Sequence, residues 1–294
     1  MNSDRTVVAR PAMSVKTGDR VLHTQRPEWG LGEVLSHGGG KVRVHFVDGG
    51  ERLLVGASLT MALGADALDA RLDPRKRRGL RKSARQNTVS KAIAAYLARF
   101  PQGFNDPEYL KTERDHKVAA HDEMVKLLSL EALATLVAAS DFDEATRRAL
   151  KVVDLTSLIL PNEKIALRDG LDSEASKRRF VLTLQGLLYG PSEDEARFTT
   201  WADCLTEIGA ARWTTASYFQ FLAFPDRCMF VKPIVTQIAA DVCDFELRYR
   251  AEPNWATYHL VQQCAQVLLA DTAALHPRDM IDVQSFVWSI GTGA

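Results

Sequence analysis

The sequence predicts an α+β chain in which the two kinds of structure occupy separate domains, a small β-barrel first and a larger all-α domain after it. Three observations carry this reading. Short, turn-bounded runs with period-two alternation lie between residues 16 and 62, periods near 3.6 dominate from Asn87 onward, and a block of cations separates the two regions. At 294 residues the chain exceeds the usual size of one domain, and its 46% hydrophobic and 25% charged residues suffice for a substantial core. The expected organisation is a flexible N-terminus over 1–15, the barrel over 16–62, a basic connector over 63–86 and the all-α domain over 87–294.

The strand signals are DRVLHT, GLGEVLS, KVRVHFV and ERLLV. The third alternates cleanly, with Val42, Val44 and Phe46 on one face and Lys41, Arg43 and His45 on the other, as a half-buried strand requires. Gly38, Gly39 and Gly40 supply a tight connection before it, and Asp48, Gly49 and Gly50 another after it. Four or five strands in so few residues are too few for two full sheets and curl instead into a small barrel. A barrel of this size has no internal cavity and acts through its surface. Trp29, with Arg43 and His45, is the expected partner-binding surface; the alternative for Trp29 is that it closes one end of the barrel core. A methyl-lysine cage needs several aromatics around one cation, and this stretch offers only Trp29 and an inward Phe46.

Gly18, Asp19, Val21, Trp29, Gly30, Gly32, Val42, Val44, Phe46 and Gly50 fall in the order of a bacterial Tudor-like, SH3-like module of unknown function, which Thr17 to Leu54 resembles. Related Tudor-like barrels end UvrD/PcrA-type helicases and occur in transcription-coupling proteins. The resemblance therefore implies docking onto RNA polymerase, a repair helicase or other nucleic-acid machinery.

The formal net charge is zero, but the charge is segregated. Between Arg71 and Arg85 eight cations face one anion, Asp73. Arg75, Lys76, Arg77, Arg78, Arg81, Lys82 and Arg85 are the candidate nucleic-acid contacts, since each phosphate neutralised adds salt-dependent affinity. The run holds no aromatic residue, which argues against base stacking and leaves DNA and RNA equally open. A solvated spacer is the competing reading.

From Asn87 helices follow one another, with breaks at Pro101 to Asn105, Ser140 to Asp143, Leu160 to Asn162, Gly190 to Ser192, Phe224 to Asp226, Pro253 and Pro277. The helix opening at Pro107 carries an apolar stripe of Leu110, Val118, Val125 and Leu128, with Arg114 and His121 in the same stripe. Glu113 and Lys117 flank them, and a second segment adds Glu163, Arg168 and Asp169. These seven residues are expected either to pair as interhelical ions or to line a polar cleft. Trp201, Trp213, Trp255 and Trp288 read as core anchors. The stretches GFNDPEYLKTERDHKVAAH, SLILPNEKIALRD and PRDMIDVQSFVWSI resemble a helical domain of uncharacterised bacterial proteins, some near restriction or repair systems; the resemblance implies no catalytic residue.

No phosphate-binding loop, dinucleotide fingerprint, nucleophile elbow or HExxH is present. His116 and His121 are five apart and make a poor metal pair, and Asp279 and Asp282 read as helix-start residues rather than ligands. Cys204, Cys228, Cys243 and Cys264 form no CxxC and are expected as buried free thiols. No cofactor and no metal is expected. Without a leader-like start or an apolar run of spanning length, a cytoplasmic protein with no membrane contact is expected. The function these features favour is a non-enzymatic interaction protein of DNA or transcription and repair machinery. The alternative is a nucleic-acid-processing enzyme using Glu113, His121, Glu163 and Asp169 in a polar cleft of the helical domain.

Overall fold

The computed structural model describes residues 15–38, 40–55, 58–67, 69, 72 and 82–292, with side chains from 88 onward in the helical part. The chain divides into two compact units, Met1–Arg77 and Arg78–Ala294. The first holds an antiparallel sheet of five strands, β1 (Arg20–His23), β2 (Gly32–Gly38), β3 (Lys41–Phe46), β4 (Gly50–Val55) and β5 (Leu59–Met61), in the order β4-β3-β2-β1-β5.

Alternation decides which face of this sheet is buried. Val42, Val44 and Phe46 of β3 meet Val21, Val34 and Leu59 in one small core, and Trp29, Leu54 and Met61 pack onto its rim. The β2–β3 ladder slips by one residue between Val34 and Ser36, a bulge that increases local twist and helps so small a sheet curl. Two glycines keep the core closed. A Cβ on Gly32 would stand 2.6 Å from a Val44 methyl and 2.7 Å from the Phe46 ring, and one on Gly49 would stand 2.6 Å from the Trp29 indole.

The regular elements of the second unit's described residues are helical: α1 (Lys82–Arg99), α2 (Pro107–Tyr109), α3 (Asp115–Leu127), α4 (Leu130–Ala138), α5 (Phe142–Asp154), α6 (Pro161–Asp169), α7 (Glu174–Tyr189), α8 (Asp194–Glu207), α9 (Trp213–Ala223), α10 (Pro233–Val242), α11 (Trp255–Asp271) and α12 (Met280–Thr292). Helix α1 starts inside the stretch expected as connector, so Lys82 and Arg85 belong to a helix. Their side chains, and all of Arg75, Lys76, Arg77, Arg78 and Arg81, lie outside the described residues. Helix α9 buries ten of its eleven residues, including Thr214, Thr215, Ser217 and Gln220, against α3, α7 and α8. Most of its buried polar groups have partners, although Thr214 Oγ1 has none. Ser217 donates to the Trp213 carbonyl and accepts from the Val231 amide, and Tyr218 donates to the Val152 carbonyl.

Helix starts follow local chemistry. Asp106 accepts from the Glu108 amide with Pro107 at the first position, Asp141 accepts from the Glu144 amide, and Ser129 from the Ala132 amide. Two expectations need correction. The stripe from Leu110 to Leu128 does not keep one phase, because Leu110–Arg114 forms a π-helical turn between α2 and α3. The wider turn adds a residue and rotates the faces, so Lys117, Ala120, Met124 and Leu128 point inward while Val125 is 47% exposed. Of the four tryptophans, Trp201 and Trp213 are core residues, whereas Trp255 and Trp288 are half-buried. All four cysteines are buried and lie outside any disulfide. Among the described residues no helix is long and apolar enough to cross a membrane.

Candidate functional site

Two places carry exposed or buried chemistry beyond what folding alone uses, one in each unit. In the sheet, β3 and β4 set Lys41 opposite Val55, Arg43 opposite Leu53 and His45 opposite Glu51. Period two puts all six on the face away from the core. Leu53 and Val55 are 59% and 62% exposed there, beside Lys41 and Arg43, with Glu51 3.9 Å from Arg43. Trp29 lies on the opposite rim. Its ring centroid is 4.8 Å from His23 and 5.3 Å from Phe46, and the Arg52 guanidinium stands 5.3 Å over its face. Trp29 thus packs half-buried against the core, with arginine over its ring.

In the helical unit the polar residues converge on the start of α12. Arg114, at the end of the π turn, grips Asp279 through both carboxylate oxygens at 2.6 and 2.8 Å and reaches Asp282 at 2.8 Å. Asp282 is fully buried and also accepts from the Tyr109 hydroxyl and from the Arg278 amide and guanidinium. Asp279 accepts from the amides of Ile281 and Asp282, as a helix-start residue does, while also holding the arginine. The buried Asp282 carboxylate is thus surrounded by donors from Tyr109, Arg114 and Arg278. Burial and the Asp282 charge push the Tyr109 hydroxyl far up from the ordinary tyrosine range.

Beside this cluster Lys117, 2% exposed, donates to the Ser285 hydroxyl at 2.9 Å and lies 3.3 Å from Glu113, one helical turn earlier. Burial drives its ammonium down to about 8, against the pull of Glu113. His116 is likewise lowered, first by burial and then by Lys117.

The seven residues expected to pair or line a cleft therefore separate. Arg114 pairs with Asp279 and Asp282, not with Glu113, Glu163 or Asp169. Glu113 and Lys117 form their own pair. His121 donates from Nδ1 to the Leu222 carbonyl at 2.6 Å, tying α3 to α9. Glu163 accepts from the Leu160 amide at the start of its own helix, Arg168 binds Asp154 at 2.6 and 2.8 Å, and Asp169 is exposed. Among the described residues no group of three or more His, Cys, Asp or Glu is placed to hold a metal ion. Sequence reading missed Asp279 and Asp282 as partners of Arg114, and missed Gln284, Trp288 and Lys232, which wall a pocket beside Lys117. Separation along the chain hides the first set, and a Gln carries no motif.

The network makes two predictions. Arg114→Ala leaves two carboxylates, one fully buried, without their main cation, and should cost about 3 to 5 kcal/mol of unfolding free energy, read from denaturant melts of the helical signal. For Lys117, the folded value near 8 lies below the unfolded value of 10.5, so the unfolded chain binds the extra proton between them. The stability of the wild type relative to Lys117→Met should accordingly rise as pH increases from 8 to 10, and be flat from pH 6 to 7. Parallel curves for both proteins over pH 8 to 10 would show that Lys117 keeps an ordinary ammonium.

Comparison with known proteins adds one match and two negatives. No curated protein and no solved structure matches the chain. Residues 15–63, the five-stranded sheet with its flanks and about a sixth of the chain, match DUF3553, a family of proteins of unknown function.

Proposed function

We propose that the protein is a non-enzymatic interaction protein whose N-terminal sheet docks a protein partner of the DNA-transcription or DNA-repair machinery, while the basic segment before α1 contacts phosphates. The observation that carries the docking reading is the pair Leu53 and Val55, both well over half exposed on one strand face in a unit whose core needs every apolar residue it has. Their neighbours Lys41, Arg43 and His45 bias the face towards an acidic, apolar partner segment, which would lie along β4 with its own side chains alternating. This shifts the docking surface from Trp29, whose ring is engaged by Phe46, His23 and Arg52, to the β3–β4 face. The resemblance to Tudor-like barrels at the ends of UvrD/PcrA-type helicases supports the class of partner, RNA polymerase or a repair helicase. It is an analogy of fold, and the binding test carries the weight. The cations Arg75, Lys76, Arg77, Arg78, Arg81, Lys82 and Arg85 support the phosphate contact through charge density alone.

The docking surface is tested with purified RNA polymerase and a purified UvrD-type helicase. Wild type should bind one of them, and Leu53→Glu with Val55→Glu should weaken that binding at least tenfold while Trp29→Phe leaves it within twofold. Binding of neither protein by wild type would remove this class of partner, and equal binding by the double variant would remove this face.

The phosphate contact predicts duplex affinity that falls steeply with salt and varies little with sequence. Replacing Arg75, Lys76, Arg77 and Arg78 with Ala should flatten the slope of log K against log salt by about 0.9 for each phosphate no longer neutralised. Equal anisotropy titrations for wild type and the fourfold variant at low salt would sink this reading of the segment.

A further inference from the structure

Away from the ion network, a concavity of about 200 Å³ opens where the end of α9 meets α8 and α11. That is below the roughly 300 to 1,000 Å³ of sites that enclose a whole drug-sized ligand, so it accepts one ring system and leaves the rest of a larger molecule outside. Its walls are built before any ligand arrives. Arg197 of α8 donates to the Leu187 carbonyl of α7 at 2.9 Å, and Phe198 stacks on Tyr258 of α11 with ring centroids 4.6 Å apart and planes 7° from parallel.

The charged groups around the concavity cancel. Arg197 is paired with Asp194 and Arg227 with Asp226, one cation to one carboxylate in each case. Burial pushes the Cys228 thiol in the wall up to about 12, so it adds no charge. A neutral ligand suits these walls.

Two amides line the same space. Gln262 lies seven residues after Trp255, on one face of α11, and makes no hydrogen bond among the described residues. Gln220 of α9 is 7% exposed; its Nε2 reaches the Ala216 carbonyl only at 3.5 Å, and its Oε1 keeps open surface with no donor on it. Each amide carries a donor and an acceptor side by side, so the pair calls for a ligand edge that carries both.

Flat groups frame the amides. The half-buried Trp255 indole is held by Phe198, Tyr258 and His259 at centroid distances of 5.5 to 6.1 Å, and the Arg227 guanidinium sits 4.1 Å over the Phe224 ring. Bases stack on aromatic rings and guanidinium planes alike. A plain aromatic ring would leave the amides unmet, and a sugar would leave the planes bare. A nucleobase meets both.

We propose that this pocket takes a single nucleobase, of a free nucleoside or of one nucleotide in a single strand, with Gln220 and Gln262 on its edge and Trp255 and Arg227 on its faces. Adenine ranks first, because its N6 donor and N7 acceptor match a glutamine amide bidentately. The pocket shares no residue with the docking face of the sheet or with the basic segment, and its failure would leave the proposed function standing.

The full chain is titrated with adenosine, guanosine, cytidine, uridine, ribose, benzyl alcohol and adenosine monophosphate by ligand-observed NMR. Adenosine should saturate, benzyl alcohol should bind at least tenfold more weakly, and ribose should not bind. Because the wall charges cancel, the monophosphate should bind within fivefold of adenosine. Gln262→Leu and Arg227→Ala, at half-buried and exposed positions, should each weaken adenosine at least fivefold with the helical signal unchanged. No saturable binding of any nucleoside by wild type, or adenosine binding unchanged in either variant, overturns the site. Benzyl alcohol equal to adenosine, or a monophosphate more than fivefold tighter, overturns the assignment to a neutral base, and another nucleoside ahead of adenosine overturns the rank of adenine. Displacement of bound adenosine by a short adenine-only single strand identifies a strand as the source, and its absence a free nucleoside; either outcome upholds the pocket.

Discussion

The carboxylate of Asp282 is the constraint around which the helical unit is organised. A charge without solvent exposure is tolerated only when donors surround it, and here they come from three places: Tyr109 at the end of α2, Arg114 at the end of the π turn, and Arg278 at the approach to α12. Arg278 reaches on to the Phe104 carbonyl at 2.6 Å, so the same cluster anchors the short turn before α2. Around it sit the rings of Tyr96, Phe100, Phe104, Tyr109 and Phe286, at centroid separations of 5.2 to 6.2 Å. The aromatic shell lowers the local dielectric and strengthens each ion contact, and the ion contacts fix the register in which the rings meet.

The π turn stands at the head of this geometry. In a regular helix Leu110, Arg114 and Lys117, at i, i+4 and i+7, lie along one stripe. With an extra residue in the turn, Arg114 faces the start of α12 and Lys117 faces its second turn, at Ser285. Two cations on one helix thereby address two successive turns of another. Glu113, at i−4 from Lys117, follows Lys117 inward and supplies the charge that makes the burial tolerable.

Much of the architecture is legible in the residues themselves. The alternation Val42, Val44, Phe46 specifies both the strand and its buried face, and prolines at 101, 107, 161, 233 and 277 mark helix boundaries because each removes a backbone donor. What escapes is of two kinds. Contacts such as Arg114 with Asp279 join residues far apart in the chain, and charge alone does not select Asp279 over Glu163 or Asp169. Backbone irregularities also leave no composition signal: the π turn at Leu110–Arg114 looks like ordinary helix, and the stretch 243–254 buries Phe245 and Leu247 without regular structure, with Asp244 and Arg248 at positive φ. The basic segment, the clearest charge signal in the sequence, lies outside the described side chains.

The distribution of paired and unpaired polar groups separates structural chemistry from binding chemistry. Acid and base groups that act on a substrate have to converge on shared open space. His121 is spent on a carbonyl of α9, Glu163 on the first amide of its own helix segment, and Arg168 on Asp154. Each such contact gives the side chain a partner within the fold. Other groups are of a different sort, among them the aliphatic side chains of Leu53 and Val55 exposed on a strand and the buried Gln284 amide oxygen that meets no donor. Leu53 and Val55 in particular keep apolar surface in water that only a covering surface would remove. The acid and base groups expected to share one cleft are thus distributed among separate structural contacts.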